Sequence, residues 1–253
     1  MTENTNEGYI PTLVMSNKKY NGGNKLTLKI PSKHANEFLD KMTFSFYVNL
    51  KPMTYINKPK IEERQYTPIS VICDEGTDNI YLEIVYRVYL NSFNGLSYYL
   101  NKLKEGDHLS CSYPKLDDWS NNNDKFDKEL VLNKKEIIVL AGGAGITPCH
   151  QILNSIYKEI NSDTESNIKK ITLYNFNSNK NRVLISNELK EIDLLLSKKT
   201  TINYEYFDIF NNRSDDKKMK YLINNHDIFN NEDKLFIFSG PGPFNNAIEE
   251  ILI

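Results

Sequence analysis

The chain has 253 residues, of which 40% are hydrophobic and 25% charged, a composition typical of a soluble globular protein. Its length is sufficient for two domains. Its 31 lysine and arginine residues nearly balance 33 aspartate and glutamate residues, and the net charge of -2 argues against nucleic acid as a partner. The opening stretch MTENTNEGYIPTLV shows no signal-peptide pattern and no apolar run of transmembrane length, so we expect a soluble cytoplasmic monomer without an integral membrane segment, with peripheral membrane association left open.

The first half contains short apolar segments that are rich in Val, Ile, Tyr, Phe and Thr and are interrupted by Gly, Pro, Asn and Asp. They are PTLVMS, KLTLKI, TFSFYVNL, YLEIVYRVYL and HLSCSY. This pattern predicts a small antiparallel barrel or sandwich, and a barrel is the architecture we expect. One short helix, LSYYLNKL from Leu96 to Leu103, interrupts the strands.

The second half alternates buried strands with helices. The run EIIVLAG predicts a strand buried on both faces, and apolar residues from Cys149 to Ile160 then recur at helical spacing. Strands ITLYNF, TINYEYF and KLFIFSG follow, with helices at SNELKEIDLLLSKK, near KMKYLINN and at FNNAIEEILI. The fold class is therefore β + α/β, with an antiparallel barrel domain over 9–133 and a parallel-sheet nucleotide-binding domain over 134–253.

The three cysteines, Cys73, Cys111 and Cys149, lie far apart without a C-x-x-C pair or a histidine at ligand spacing. No disulfide framework or metal site is predicted, and we expect buried thiols. A catalytic pair of Cys149 with His150 is not expected either, because adjacent residues of a helix do not face each other.

A glycine-rich turn, LAGGAGITPCHQIL over 140–153, follows the first buried strand. Thr147 stands where a helix N-cap belongs, and Pro148 occupies the first turn, where its missing N–H does no harm. Gly143 and Gly145 would let a ligand approach the backbone, and the helix dipole favours a phosphate by about 0.3 to 1 kcal/mol. Because the spacing matches neither G-x-G-x-x-G nor a P-loop, a turn without a ligand remains the alternative.

A second loop of glycine and proline, FIFSGPGPF, ends the last predicted strand with Ser239, Gly240, Pro241 and Phe244. Because both loops follow parallel strands, we expect them at the same edge of the sheet. A plain turn rich in helix breakers is the alternative interpretation.

In the first half, the stretch RQYTPIS over 64–70 concentrates polar groups before an apolar run. Pro68 favours an extended backbone before it, so Arg64 and Tyr66 should share one face of a strand. The guanidinium could then bind a phosphate with about 1.5 to 3 kcal/mol per bond, and the ring could cover a planar cofactor. An ordinary barrel strand with an exposed arginine is the alternative.

The order of R-x-Y-T-P-x-S, VYRVYL, LS at a helix start, AGGAGITP and SGPGP resembles the ferredoxin-reductase-type flavoprotein family, and within it the NADH-cytochrome b5 reductases. The resemblance runs from Ile10 to the end of the chain. It implies an oxidoreductase in which NADH reduces FAD, and FAD passes electrons singly to an acceptor protein such as cytochrome b5.

The resemblance also implies roles for individual residues. Arg64 would bind the FAD pyrophosphate, Tyr66 would pack on the isoalloxazine, Thr67 would bond near its reactive edge, and Thr147 would reach the flavin from the second domain. Thr67 and Ser239 are the implied catalytic positions. The other implied cofactor contacts are Gln65, Ser70, Val85, Tyr86, Arg87, Tyr89, Gly95, Leu96 and Ser97 for FAD, and Gly143, Ala144, Gly145, Pro148, Asp208, Gly240, Pro241 and Phe244 for NADH.

Cofactor preference rests on Asp208, which ends the predicted strand INYEYFD at an acidic position that disfavours a 2'-phosphate in NADH-preferring relatives. Arg182 and Arg213 are expected nearby in loops, so NADPH stays open as an alternative.

Several positions depart from the family pattern. Residues 93–97 replace Gly-Gly-Lys-Met-Ser, Ala144 stands where threonine is common, Ser239 stands where cysteine is common, and Ile253 comes before the usual last strand. These departures motivate a second hypothesis, a flavin-fold binding or regulatory module with little or no turnover.

Overall fold

The computed structural model describes residues 8–53, 61–89, 95–116, 126–162, 165–199, 203–210, 223–224 and 233–252. The chain divides into two compact units, residues 1–117 and 118–253. The predicted limits of the two cofactor-binding domains, 9–133 and 134–253, stay a prediction.

The first unit is built from antiparallel strands. Its elements are β1 Tyr9–Tyr20, β2 Gly23–Ile30, a 3-10 turn Ser32–His34, α1 Ala35–Asp40, β3 Phe46–Pro52, β4 Arg64–Tyr66, β5 Ser70–Cys73, β6 Ile80–Tyr86, α2 Leu96–Leu100, β7 His108–Ser112 and β8 Lys115–Leu116. The strands pair in the order β4-β3-β7-β1-β2-β6-β5, and β8 adds to β3.

This sheet must curl strongly, because its two end strands are consecutive in the chain. β4 ends at Tyr66 and β5 begins at Ser70, so the connection spans at most about 14 Å. Seven flat strands would separate these ends by about 29 Å. A bulge in β1 between Val14 and Ser16 adds local bending. The predicted antiparallel barrel is thus confirmed as a barrel-like sheet whose ends are joined by residues 67–69.

The inner face of this sheet is apolar. Along β2 buried and half-buried residues alternate, and the side chains of Leu26, Leu28 and Ile30 are fully buried. Burial of each such side chain stabilises the fold by about 1.5 to 3 kcal/mol. Phe38 of α1 and Leu100 of α2 complete the core, so both short helices are fixed to the sheet by packing.

The second unit is a parallel sheet with helices. Its elements are α3 Lys128–Leu132, β9 Glu136–Gly142, a 3-10 turn Gly143–Gly145, α4 Ile146–Asn161, β10 Lys170–Asn177, a 3-10 turn Lys180–Arg182, α5 Ser186–Lys199, β11 Asn203–Phe210, β12 Lys234–Ser239 and α6 Gly242–Leu252. The sheet order is β11-β10-β9-β12, and every pairing is parallel. The predicted α/β architecture is therefore confirmed.

Some predictions need correction or lie outside the described residues. Cys73 is exposed at the end of β5 rather than buried, because β5 is an end strand of the sheet, whereas Cys111 and Cys149 are buried as expected. The helix predicted to reach Leu103 ends at Leu100. Of the helix predicted near KMKYLINN only residues 223–224 are described, and these are helical.

His150 is a buried titratable residue of α4, with a side chain only 3% exposed. Burial lowers the pKa of His150 to about 4, because the charged imidazolium loses its hydration, while Glu188 on α5 acts in the opposite direction. The folded protein therefore holds His150 neutral at pH values where an unfolded chain already protonates it.

The free energy of unfolding should consequently fall as the pH is lowered from about 6.5 to about 4, by roughly 1.4 kcal/mol per unit of pKa difference. His150→Gln, which stays neutral, should lose less stability across the same range in urea denaturation. Equal losses in the two proteins would contradict a role for the neutral imidazole.

Candidate functional site

Arg64 opens β4 at the end of the first unit's sheet. β4 pairs with β3, where Leu50 is opposite Arg64 and Val48 is opposite Tyr66. The Arg64 side chain is 60% exposed, with Nη2 2.7 Å from Glu62 Oε2 and Nη1 donating to the Glu63 carbonyl oxygen at 3.0 Å. An exposed ion pair contributes only about 0 to 1 kcal/mol, so an anionic ligand can compete for this guanidinium.

Tyr66 and Thr67 lead into the connection that joins the two ends of the sheet. The Tyr66 ring packs against the core and meets Tyr86 edge to face, with ring centroids 6.3 Å apart. Burial raises the pKa of Tyr66, so its hydroxyl stays protonated. Thr67 is half-buried, and the backbone N–H of Ile69 donates to Glu83 O at 2.8 Å, which anchors the connection to β6.

The residues predicted on the next strand divide between core and surface. Val85, Tyr86 and Arg87 are buried, whereas Tyr89 is 53% exposed. The Tyr86 hydroxyl donates to Asn17 Oδ1 at 3.0 Å inside the sheet. Because this side chain serves the core, only the backbone of Tyr86 is left to contact a ligand outside the sheet.

The short helix α2 begins beside this strand. Gly95 precedes it, Leu96 is buried, and Ser97 Oγ accepts the backbone N–H of Tyr89 at 3.3 Å. Asn17 Nδ2 donates to Leu100 O at 2.7 Å, which fastens the other end of the helix to β1. Residues 93 and 94 of the predicted phosphate turn lie outside the described residues. Gln65 is exposed and Ser70 is half-buried on the strands flanking the connection.

In the second unit, the two predicted loops meet at one edge of the parallel sheet. The chain leaves β9 toward β10 on one side and returns in β12 on the other side, so the loops after β9 and β12 flank the point where the strand order reverses. In open α/β sheets this is where ligands bind.

The glycines of these loops allow backbone to pack on backbone. A Cβ atom on Gly145 would overlap the Ser239 carbonyl group and lie 2.7 Å from Gly240 N, while one on Gly142 would lie 2.8 Å from the Phe244 ring. Gly143 has a φ of 61°, a conformation that glycine adopts without strain. Gly145, Gly240 and Phe244 thus pack the two loops against each other. Sequence reasoning had predicted only ligand contacts for these residues.

The start of α4 differs from the prediction. The helix begins at Ile146, directly after the 3-10 turn, so Thr147 is its second residue and not the N-cap. Its hydroxyl donates to Ala144 O at 3.1 Å, because the tight turn brings that carbonyl within reach. Pro148 lies in the first turn as predicted, and Ala144 is exposed at the turn's surface.

β11 is an outermost strand of the parallel sheet. It was predicted to end at Asp208, but it continues two residues further, to Phe210. Parallel pairing with β10 extends to Asn177 and prolongs the strand. The backbone of Asp208 is opposite Asn175. Arg182 Nη1 donates to Ser178 Oγ at 3.5 Å, and Arg213 lies outside the described residues.

At the other loop, the Pro241 carbonyl oxygen accepts the backbone N–H groups of Phe244 and Asn245 at 2.8 and 3.1 Å and so starts α6.

Within the described ranges no cluster of His, Cys, Asp and Glu could hold a metal ion, and no helix is long and apolar enough to cross a membrane.

Sequence reasoning missed the two glutamates that precede Arg64. Glu62 contacts the guanidinium directly, and Glu63 is bound by Tyr9 and Asn49. The adjacency of Glu62 and Glu63 to Arg64 was visible in the sequence, but the partners from β1 and β3 depend on strand register, which no local pattern encodes.

Comparison with known proteins agrees with this architecture. A family model described as "Oxidoreductase NAD-binding domain" matches residues 139–250. NADH-cytochrome b5 reductase 2 of Lodderomyces elongisporus is 31% identical over 144 residues, covering 57% of this chain and 41% of that protein. NADH-cytochrome b5 reductase 2 of Yarrowia lipolytica is 27% identical over 192 residues, covering 73% and 58%. The chain thus spans about half the length of these curated relatives.

Solved structures share the fold. The CS-b5R domains of human Ncb5or align with a TM-score of 0.66 and 19% identity, covering 96% of this chain and 65% of that one. Ferredoxin-NADP+ reductase from Plasmodium falciparum aligns with a TM-score of 0.65 and 17% identity, covering 100% and 92%.

An antiparallel barrel followed by a parallel α/β unit defines the ferredoxin-reductase class of fold. The chain is thus similar to ferredoxin-reductase-type proteins, in the sequence of its second unit and in the fold of both units, in line with its motif order.

Gly145→Ala should lower the free energy of unfolding by about 1 to 3 kcal/mol, because the added methyl group meets backbone atoms that cannot rotate away. Gly242→Ala is the matched control, since its Cβ would have nothing within 4 Å. Chemical denaturation of both variants checks this, and equal stability would contradict the close packing of the loops.

Proposed function

We propose that this chain is an FAD-dependent oxidoreductase that passes electrons from NADH to a one-electron acceptor protein, cytochrome b5 or a similar small carrier. The observation that carries the proposal is the match of residues 139–250 to an oxidoreductase NAD-binding domain, in a chain whose preceding barrel has R-x-Y-T-P-x-S at its closing connection. Residues 9–133 would bind FAD and residues 134–253 would bind NADH.

The residues present in the first unit fit FAD. Arg64 offers an exposed guanidinium held by a surface ion pair and by one bond to the Glu63 carbonyl oxygen, and charge-assisted bonds to a pyrophosphate would each contribute about 1.5 to 3 kcal/mol. Tyr66, Thr67 and the exposed Tyr89 would contact the ring system, while Gly95 and Ser97 would approach the phosphates. The remaining proposed contacts are Gln65, Ser70, Val85, Tyr86, Arg87 and Leu96.

The residues of the second unit fit a dinucleotide. The 3-10 turn Gly143–Gly145 runs into α4, so early N–H groups and the positive end of a 16-residue helix are available for a phosphate. Gly143, Ala144, Thr147 and Pro148 would line that site. Gly145, Gly240, Pro241 and Phe244 would support it, and Asp208 would select NADH by disfavouring a 2'-phosphate.

Bound FAD would supply the conversion of two-electron into one-electron transfer, and this chain's residues would supply placement. Thr67 would orient the ligand through its hydroxyl, and Ser239, whose carbonyl packs against Gly145, would fix the loop beside the nicotinamide. No side chain is required as a general acid or base.

The binding-module alternative, motivated by Ala144 and Ser239, is not favoured, because the relatives at 27–31% identity bear reductase names. We further propose a cytoplasmic monomer that meets its acceptor in solution or at a membrane surface.

Arg64→Ala should weaken FAD binding about 10- to 150-fold, the range that corresponds to losing 1.5 to 3 kcal/mol. Lys41→Ala is a matched control, because Lys41 forms a similarly exposed pair with Glu37 at 2.6 Å in the same unit. Fluorescence titration of the flavin-free protein measures both. Unchanged affinity in Arg64→Ala would remove Arg64 from the site.

The purified full chain should carry FAD, appear yellow and oxidise NADH faster than NADPH with ferricyanide as acceptor. A colourless protein that cannot be loaded with FAD and leaves NADH unchanged would instead support the module. Equal rates with both nucleotides would contradict the role of Asp208.

A further inference from the structure

A chain of three hydrogen-bonded side chains lies directly beside Arg64. The Tyr9 hydroxyl, at the start of β1, donates to Glu63 Oε2, and Asn49 Nδ2, on β3, donates to Glu63 Oε1 at 3.2 Å. Both carboxylate oxygens of Glu63 are therefore held. The carboxylate connects the residue preceding β4 to two other strands.

Strand register explains why these side chains meet. Tyr9 is opposite Ser112 on β7, and Asn49 is opposite Gln65 on β4. The backbone N–H of Asn49 donates to Ser112 Oγ at 2.9 Å, which ties β3 to β7 in the same row. Paired residues of antiparallel strands point to one face, so Tyr9 and Asn49 approach Glu63 from one side of the sheet.

The arrangement lowers stability at one atom, the side-chain oxygen of Asn49. Asn49 is only 6% exposed, and its Oδ1 has no hydrogen-bond partner among the described residues. A buried unpaired acceptor costs about 1 to 3 kcal/mol. Flipping the amide would place Oδ1 against the Glu63 carboxylate, an acceptor facing an acceptor. Glu63 therefore sets the orientation of Asn49.

Tyr9 keeps the proton that it donates. Burial and then the bond to Glu63 raise the pKa of Tyr9 to about 12, so the hydroxyl is un-ionised at neutral pH. The bond to the carboxylate is charge-assisted and stronger than a bond between neutral groups.

The backbone of Glu63 transmits this anchoring to Arg64. Its carbonyl oxygen accepts Arg64 Nη1 at 3.0 Å, while Glu62 Oε2 lies 2.7 Å from Nη2. These contacts use two of the five N–H donors of a guanidinium, which leaves three donors for a ligand. Together with the Glu62 contact, a fixed carbonyl therefore restricts the plane in which the remaining donors lie.

We propose that Glu63, anchored by Tyr9 and Asn49, is a positioning residue that orients the Arg64 guanidinium toward the pyrophosphate of FAD. The inference rests on the proposed function, since it concerns the same ligand. Glu62 has the opposite role, because its carboxylate competes with the pyrophosphate for Arg64.

Isosteric substitutions at the two adjacent glutamates test this proposal, because electrostatics and positioning predict opposite changes of FAD affinity for Glu63→Gln. Each of Glu62→Gln and Glu63→Gln removes one negative charge beside Arg64, so electrostatics alone would tighten FAD binding in both. Positioning instead predicts that Glu62→Gln tightens binding and that Glu63→Gln weakens it about 3- to 10-fold, the size of a coupled contact. Tyr9→Phe, which keeps the ring, should weaken FAD like Glu63→Gln.

Two further readouts separate positioning from a general structural effect. Riboflavin, which has no phosphate, should bind the flavin-free Tyr9→Phe and Glu63→Gln proteins as it binds the unchanged protein. In an Arg64→Ala background, Tyr9→Phe should have no further effect on FAD affinity. Tyr81→Phe, at a half-buried tyrosine of β6, is the matched control and should change neither affinity.

Tighter FAD binding by Glu63→Gln, equal loss of riboflavin and FAD affinity, or an undiminished effect of Tyr9→Phe without Arg64 would each overturn the inference. The proposed function would survive these results as long as the unchanged protein binds FAD. Failure of the unchanged protein to bind FAD would overturn both.

Discussion

The connection of residues 67–69 is the constraint on which the first unit depends. It ties together the two ends of a seven-strand path, so the sheet cannot lie flat, and its curvature encloses the core. The same short segment carries Thr67 and follows Arg64 and Tyr66. Fold and candidate site are therefore linked, because the groups proposed to bind a cofactor lie on or beside the segment that joins the two ends of the sheet.

In the second unit, close contacts between main chains constrain the candidate site. Gly145 packs against the Ser239–Gly240 peptide, and the Phe244 ring covers Gly142 and Gly240. Side chains at these glycines would force the loops after β9 and β12 apart. A ligand at this edge would thus meet a rigid surface rather than two independent turns, and rigid placement is what the protein contributes when a cofactor supplies the chemistry.

Local patterns predicted most of the elements but not their partners. The run EIIVLAG matched β9 and SNELKEIDLLLSKK matched α5, because hydrophobic period and length reflect burial directly. Thr147 was misplaced as an N-cap since the preceding turn is helical and extends the helix backward. The Tyr9 and Asn49 contacts to Glu63 were out of reach, because they join residues 54 and 14 positions apart through strand register.

Anaerobic mixing of the FAD-loaded full chain with a stoichiometric amount of NADH tests the central claim most directly. If the chain is a reductase, the absorbance of oxidised flavin disappears after mixing with NADH and returns when a one-electron acceptor is added. Flavin that stays oxidised in the presence of NADH, while remaining bound to the protein, would contradict the account.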